Sequence, residues 1–141
     1  MTCVVGILAA VVLFGLAGLH AYWAMGGQWG TAVAIPRRDG ASLFTPGPAA
    51  TWLVAVLLFA AALVLLGRVG IWGHRLPRWP FVAGTWTLAA VFGARVVGDF
   101  QWFGLFKRTT DTPFAWWDTW LYVPLSLLLS AAALLLACSA P

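Results

Sequence analysis

The sequence predicts an all-α membrane protein, a four-transmembrane-helix antiparallel bundle, and three observations carry that prediction. Of its 141 residues, 62% are hydrophobic and only 9% charged, against roughly 25% charged in soluble domains. The mean hydropathy is +0.92. Four apolar runs, at about 4–23, 49–66, 81–100 and 118–138, come close to the ~20 residues that cross a hydrocarbon core. The length leaves room for one integral membrane domain, residues 1–141.

The net charge of +4 does not point to nucleic acid. The eight basic residues are scattered through segment ends and connections, where they meet lipid headgroups and set topology. No basic run interleaved with aromatics is present to track a nucleic-acid backbone. Cys3 and Cys138 lie at opposite ends of the chain, and an up-and-down bundle brings both to one face. They are not a Cys-x-x-Cys pair, which speaks against thiol-redox chemistry, and small apolar residues near the interface is the plain reading of both.

Segment one starts without the basic n-region of a secretory signal, and its apolar run outlasts an h-region. It is therefore expected to stay as the first span. Gly6, Ala9, Leu13, Ala17 and His20 recur at helical spacing. Small faces of this kind let membrane helices approach closely, and His20 at the end of the stripe is expected to point into the bundle. Trp23 and Trp29 suit the interfacial belt. The connection from Gly26 to Pro48 is rich in Gly and Pro, so no helix is expected there. Arg37-Arg38-Asp39-Gly40 reads as a solvated turn, and Trp29, Leu43 and Phe44 favour a loop folded back over the bundle end. Connections of this length tend to be functional or disordered.

Segment two carries no ionisable group and reads as packing and lipid contact. Arg68, His74, Arg75 and Arg78 mark a short hydrophilic turn after it. Segment three leads by helical spacing to Arg95 and Asp99, which lie four residues apart and are expected to pair. Lys107, Arg108 and Asp111 follow in the next connection, then the aromatic group Phe114, Trp116 and Trp117. Segment four is expected to start near Asp118, read as its N-cap. Asp118, Tyr122, Ser126 and Ser130 form a polar stripe at intervals of four, and Pro124 falls in the first turns, where it is tolerated. The density of arginine in the short middle turn favours cytoplasmic termini.

Antiparallel packing gathers His20, Trp23, Arg95, Asp99, Gln101, Trp102, Asp118 and Tyr122 at one mouth, opposite the termini. Ionisable groups at membrane depth are expensive and raise a functional-site hypothesis, although a buried pair also serves simply to fix helix packing. His20 is a weak metal ligand, because the only other histidine, His74, falls at the opposite face; no metal and no cofactor is expected.

Several ordered stretches carry a resemblance. They are His20-Ala-Tyr-Trp23-Ala-Met-Gly26-Gly27-Gln-Trp29, Ala34-Ile35-Pro36, Phe44-Thr-Pro46-Gly47, Gly98-Asp99-Phe100, Phe103-Gly104-Leu-Phe106-Lys107-Arg108 and Phe114-Ala-Trp-Trp-Asp118-Thr-Trp-Leu-Tyr122-Val-Pro124-Leu125. Together, and over essentially the whole chain, they resemble a family of small bacterial four-span integral membrane proteins of unknown function. The resemblance implies four membrane helices and a bacterial inner-membrane location; it brings no activity, cofactor or catalytic residue.

These residues are compatible with three functions. Aromatic walls with a few convergent polar groups suit a ligand site, so the first is binding of an isoprenoid, quinone or lipid at the mouth. Arg95 would meet an anionic or carbonyl oxygen there, and Trp23, Trp102, Trp116 and Trp117 would cover the apolar part. The second is an intramembrane isomerase or cyclase. Burial favours a protonated carboxyl, making Asp118 or Asp99 the candidate acid; the Arg95 cation opposes this at Asp99, so Asp118 is preferred. The third is a transporter or an accessory subunit with a membrane-protein partner. Transport is disfavoured because segments one and two carry no carboxylate. Membrane lipids are the expected surroundings, and binding leads.

Overall fold

The structure, a computed structural model, describes residues 1–139. Four helices are long and apolar enough to cross a membrane: Thr2–Ala24, Pro48–Arg68, Trp79–Val97 and Pro113–Cys138. They form the antiparallel bundle that the hydropathy predicts. In chain order the elements are α1 (Thr2–Ala24), α2 (Thr31–Ala34), β1 (Arg37–Arg38), β2 (Ala41–Ser42), α3 (Pro48–Arg68), α4 (Trp79–Val97), α5 (Pro113–Trp117), a π turn (Asp118–Tyr122) and α6 (Val123–Cys138).

Small residues decide how the spans meet. α1 buries Gly6, Ala9, Ala10, Leu13 and Ala17, and α3 opposes them with Ala55, Ala61, Ala62 and Leu65. Lipid tails are as apolar as these side chains, so close van der Waals approach rather than a hydrophobic gain drives such pairing. The small face of α1 is thus spent on internal packing. α1 packs mainly on α3 and α4 mainly on α6, with thinner contact between the two pairs. Leu129 and Leu136 of α6 close the shared core. Large apolar side chains such as Leu8, Leu57, Phe59 and Leu128 are left outside, as expected of helices that are hydrophobic all round.

The polar stripe of the last span faces α4. Ser126 is buried, and Ser130 Oγ donates to the Ala89 carbonyl at 2.8 Å. Thr85 on α4, fully buried, donates to its own helix at Phe81 O, 2.6 Å away.

Two local expectations change, and the solvated turn at 37–40 gains a strand pairing. The first connection does hold a helical turn, α2, which begins at Gly30 in a left-handed conformation. Arg37–Arg38 pairs antiparallel with Ala41–Ser42 across an Asp39-Gly40 turn whose φ values are +51° and +82°, the primed turn of two-residue hairpins. The last span begins at Pro113, not Asp118. Thr112 is its N-cap, its hydroxyl accepting the Ala115 N–H at 3.1 Å, and Pro113 supplies a first helical position where no N–H is needed. Pro124 therefore lies well inside the span. Its missing N–H breaks the regular ladder, and the π turn just before it takes up the defect: Val123 N–H donates back to Asp118 O, a single-turn π bulge.

Candidate functional site

The mouth is built from how α4 ends. Helical spacing suggests that Arg95 and Asp99 pair, but Gly98, at φ +88°, stops the helix at Val97 and turns the chain away. Asp99 therefore faces the following loop. Its Oδ1 accepts the N–H groups of Gln101, Trp102 and Phe103 at 3.0, 2.7 and 3.0 Å. Burial pushes this carboxyl up, but the donated amides of Phe103, Trp102 and Gln101 outweigh it and hold the group below its ordinary 3.8. Phe100 takes a left-handed φ of +62°, a conformation uncommon outside Gly, Asn and Asp.

The loop closes by backbone touching backbone. Gly98 and Gly104 (φ +90°) lie so close that a Cβ on either would collide with the other strand of the loop. Leu105 N–H donates to Val96 O at 2.8 Å. This closure delivers the Gly104 N–H to Asp118.

Asp118 is fully buried and is the centre of the cluster. Its Oδ1 accepts from Arg95 Nη2 at 2.5 Å. Its Oδ2 accepts from Gly104 N–H at 2.8 Å and from Lys107 Nζ at 3.1 Å. Lys107 also donates to Gly104 O at 3.2 Å and to Thr119 Oγ1 at 2.7 Å. The Phe103 ring lies over the guanidinium of Arg95, 4.6 Å from centroid to Cζ, within cation–π range. Two cations thus meet one carboxylate, and Nη1 of Arg95 is buried with no acceptor among the described residues.

Around this cluster the first connection is tied down from two sides. Tyr122 Oη donates to Val33 O at 3.1 Å, and Trp23 Nε1 donates to Trp29 O at 2.8 Å. The loop does fold over the bundle end, but its carbonyls hold it there, and Trp29 and Phe44 remain exposed. His20 Nδ1 lies 2.8 Å from Leu16 O. A carbonyl only accepts, so Nδ1 carries the proton. The His20 ring meets Trp23 edge-on at 5.0 Å. Where β1 passes over the connection between α4 and α5, an open cleft of about 410 Å³ is lined by Arg37, Arg38, Gln101, Trp102, Thr109 and Asp111, among others.

Of the residues read from the sequence, Arg95 and Asp118 join directly. Asp99 organises the loop beside them, Tyr122 locks the loop above, and Trp102 reaches the cleft. His20 and Trp23 are engaged with α1 and the first connection. Lys107, Gly104, Phe103 and Thr119 belong to the cluster and escaped the reading. The available hint was charge: a buried carboxylate in the last span needs cations, and Lys107 is eleven positions away in the connection that overlies it. Among the described residues no three of His, Cys, Asp and Glu converge.

The chain matches the family described as "Protein of unknown function (DUF3995)" over residues 13–133. No curated protein and no solved structure matches it. With most of its length covered, the chain belongs to the DUF3995 family.

Proposed function

We propose that this four-span member of the DUF3995 family binds an amphiphile, of isoprenoid, quinone or lipid type, at the mouth opposite its termini. The observation that carries this reading is the cleft between the hairpin and the connection from α4 to α5, where Trp102 lies beside Arg37 and Gln101. Sites of this kind combine aromatic walls with a few placed polar groups. The Asp118 cluster supports the same reading as a rigid frame beneath the loop that carries Trp102. Its surplus positive charge favours an anionic or carbonyl head group. Asp99 shapes the loop that carries Trp102, Trp23 and Tyr122 fasten the first connection above it, and His20 packs against Trp23.

Catalysis by Asp118 draws less support. A general acid needs a proton on a carboxyl oxygen within reach of its substrate, and both oxygens of this buried side chain are taken by Arg95, Lys107 and an amide. We place the protein in a bacterial inner membrane with cytoplasmic termini, following the arginines of the middle connection.

The test is native mass spectrometry of protein extracted gently from its own membrane, wild type beside Trp102→Ala and Arg95→Ala. A bound species of defined mass is expected in the wild type, absent from Trp102→Ala and weakened in Arg95→Ala. An empty wild type, or a species indifferent to Trp102, would end this reading and turn attention to partner proteins.

A further inference from the structure

A second cavity, of about 600 Å³, opens at the opposite face, where α3 and α6 end and α1 and α4 begin; Arg68, Trp72, His74, Arg78, Phe81 and Ser139 are among its lining. The charge balance there is one-sided. The four acidic residues of the chain are Asp39, Asp99, Asp111 and Asp118, and all belong to the two outer connections or the start of the last span. Arg68, Arg75 and Arg78 therefore have no carboxylate side chain at their end of the bundle. An arginine at this depth normally finds a partner, because leaving the charge unmatched near hydrocarbon is costly.

Arg68 is under-used. A guanidinium offers several N–H donors in a planar fork, yet its one bond to a described residue is from Nη2 to Ser139 O, at 2.6 Å. Its Nε is buried with no acceptor among the described residues. Beside it the floor is apolar: Phe81 packs edge-on against Trp72 at 5.5 Å, and Trp72 Nε1 donates to Leu63 O at 2.6 Å, which fixes the indole at the depth of an interfacial anchor.

We propose that this cavity binds a phosphate-bearing anion, supplied as the head group of an anionic phospholipid or as free phosphate, with Arg68 and Arg78 as its cationic contacts. The guanidinium fork matches phosphate oxygens. Basic pockets between spans at a membrane face are suited to anionic head groups, and Phe81 and Trp72 lie where the first methylenes of an acyl chain would pass. The site is independent of the cleft at the mouth.

The test uses the whole chain, delipidated in detergent, with binding counted by native mass spectrometry. Phosphatidylglycerol and phosphatidylcholine are added in separate arms, and inorganic phosphate in a third. One phosphatidylglycerol is expected to bind in clear preference to phosphatidylcholine. Arg68→Gln and Arg78→Gln should each weaken it about fivefold, roughly the contribution of one basic residue near an anionic surface, while Arg108→Gln at the other face leaves it unchanged. Displacement of the lipid by millimolar phosphate, or binding of phosphate alone, identifies free phosphate as sufficient; retention of the lipid identifies the head group as the ligand. Equal binding of the two lipids overturns the proposal, as does full retention in folded Arg78→Gln. So does lipid uptake that appears only after residues 140–141 are removed, since the chain itself would then fill the cavity.

Discussion

Replacing Asp118 by Asn puts the ion cluster to its hardest test. In the folded protein the Asp118 side chain is 0% exposed, Lys107 7% and Arg95 28%. Asn keeps the shape but removes the only negative charge, leaving two cations enclosed together. Removing one partner of a buried ion pair costs about 3–5 kcal/mol, because an uncompensated charge stays behind, and here two stay behind. Lys107→Met should be far milder. Asp118 then still holds Arg95 and the Gly104 amide, so the loss approaches one hydrogen bond to a charged group, about 1.5–3 kcal/mol. In the double variant the stranded ammonium is gone. Its loss should fall short of the sum of the singles by about 1–3 kcal/mol, the range for residues in one network. The assay is reversible unfolding in mixed micelles, read by far-UV circular dichroism, on wild type, both singles and the double. A loss below about 1 kcal/mol for Asp118→Asn, or strict additivity of the two changes, would refute the reasoning.

The remaining predictions concern the loops. Gly98→Ala and Gly104→Ala each force a Cβ into the facing backbone at positive φ and should cost at least about 2 kcal/mol, whereas Gly18→Ala, with nothing within 4 Å, should be neutral or stabilising by up to about 1 kcal/mol; the same unfolding assay separates them. Asp99 is held below its ordinary value of 3.8. A lowered carboxyl contributes stability above its unfolded pKa and loses it as the pH falls through the folded one. The amides of Gln101, Trp102 and Phe103 should therefore lose exchange protection, corrected for intrinsic rates, only below about pH 4, and Asp99→Asn should abolish that step. Tyr122→Phe removes the bond to Val33 O, worth about 1 kcal/mol, and should speed tryptic cleavage at Arg37 and Arg38 without changing the thermal midpoint by more than a few degrees; an unchanged cleavage rate would show that other contacts hold the first connection.

The spans were legible because hydrocarbon imposes a length and an apolar composition that a few residues cannot disguise. Their ends were less so. The Arg95–Asp99 pairing fails because it extends helical spacing two residues past the helix end at Val97. Gly98 is a stop signal in the sequence, but the direction the chain takes after it depends on the Gly98–Gly104 contact, which no local pattern encodes. Asp118 looked like an N-cap because Thr112-Pro113, a standard helix opening, precedes a cluster of aromatics that reads as loop. The π turn was beyond sequence reading, although Pro124 supplied its cause. Lys107 illustrates the deepest limit: spacing within one helix can be counted, whereas the pairing of a loop cation with a buried carboxylate is decided by how the loop closes.

The pairing of α1 with α3 and of α4 with α6 has a consequence for biogenesis. Each pair is a hairpin of consecutive spans, so a chain emerging from the ribosome can complete one half before the other is made. The late step is then the docking of two finished hairpins across a thin seam. The hydrogen bonds that bridge them, Tyr122 to Val33 and Arg68 to Ser139, sit at the two rims, and the greasy middle of the seam stays free to slide into register before the rims are fastened.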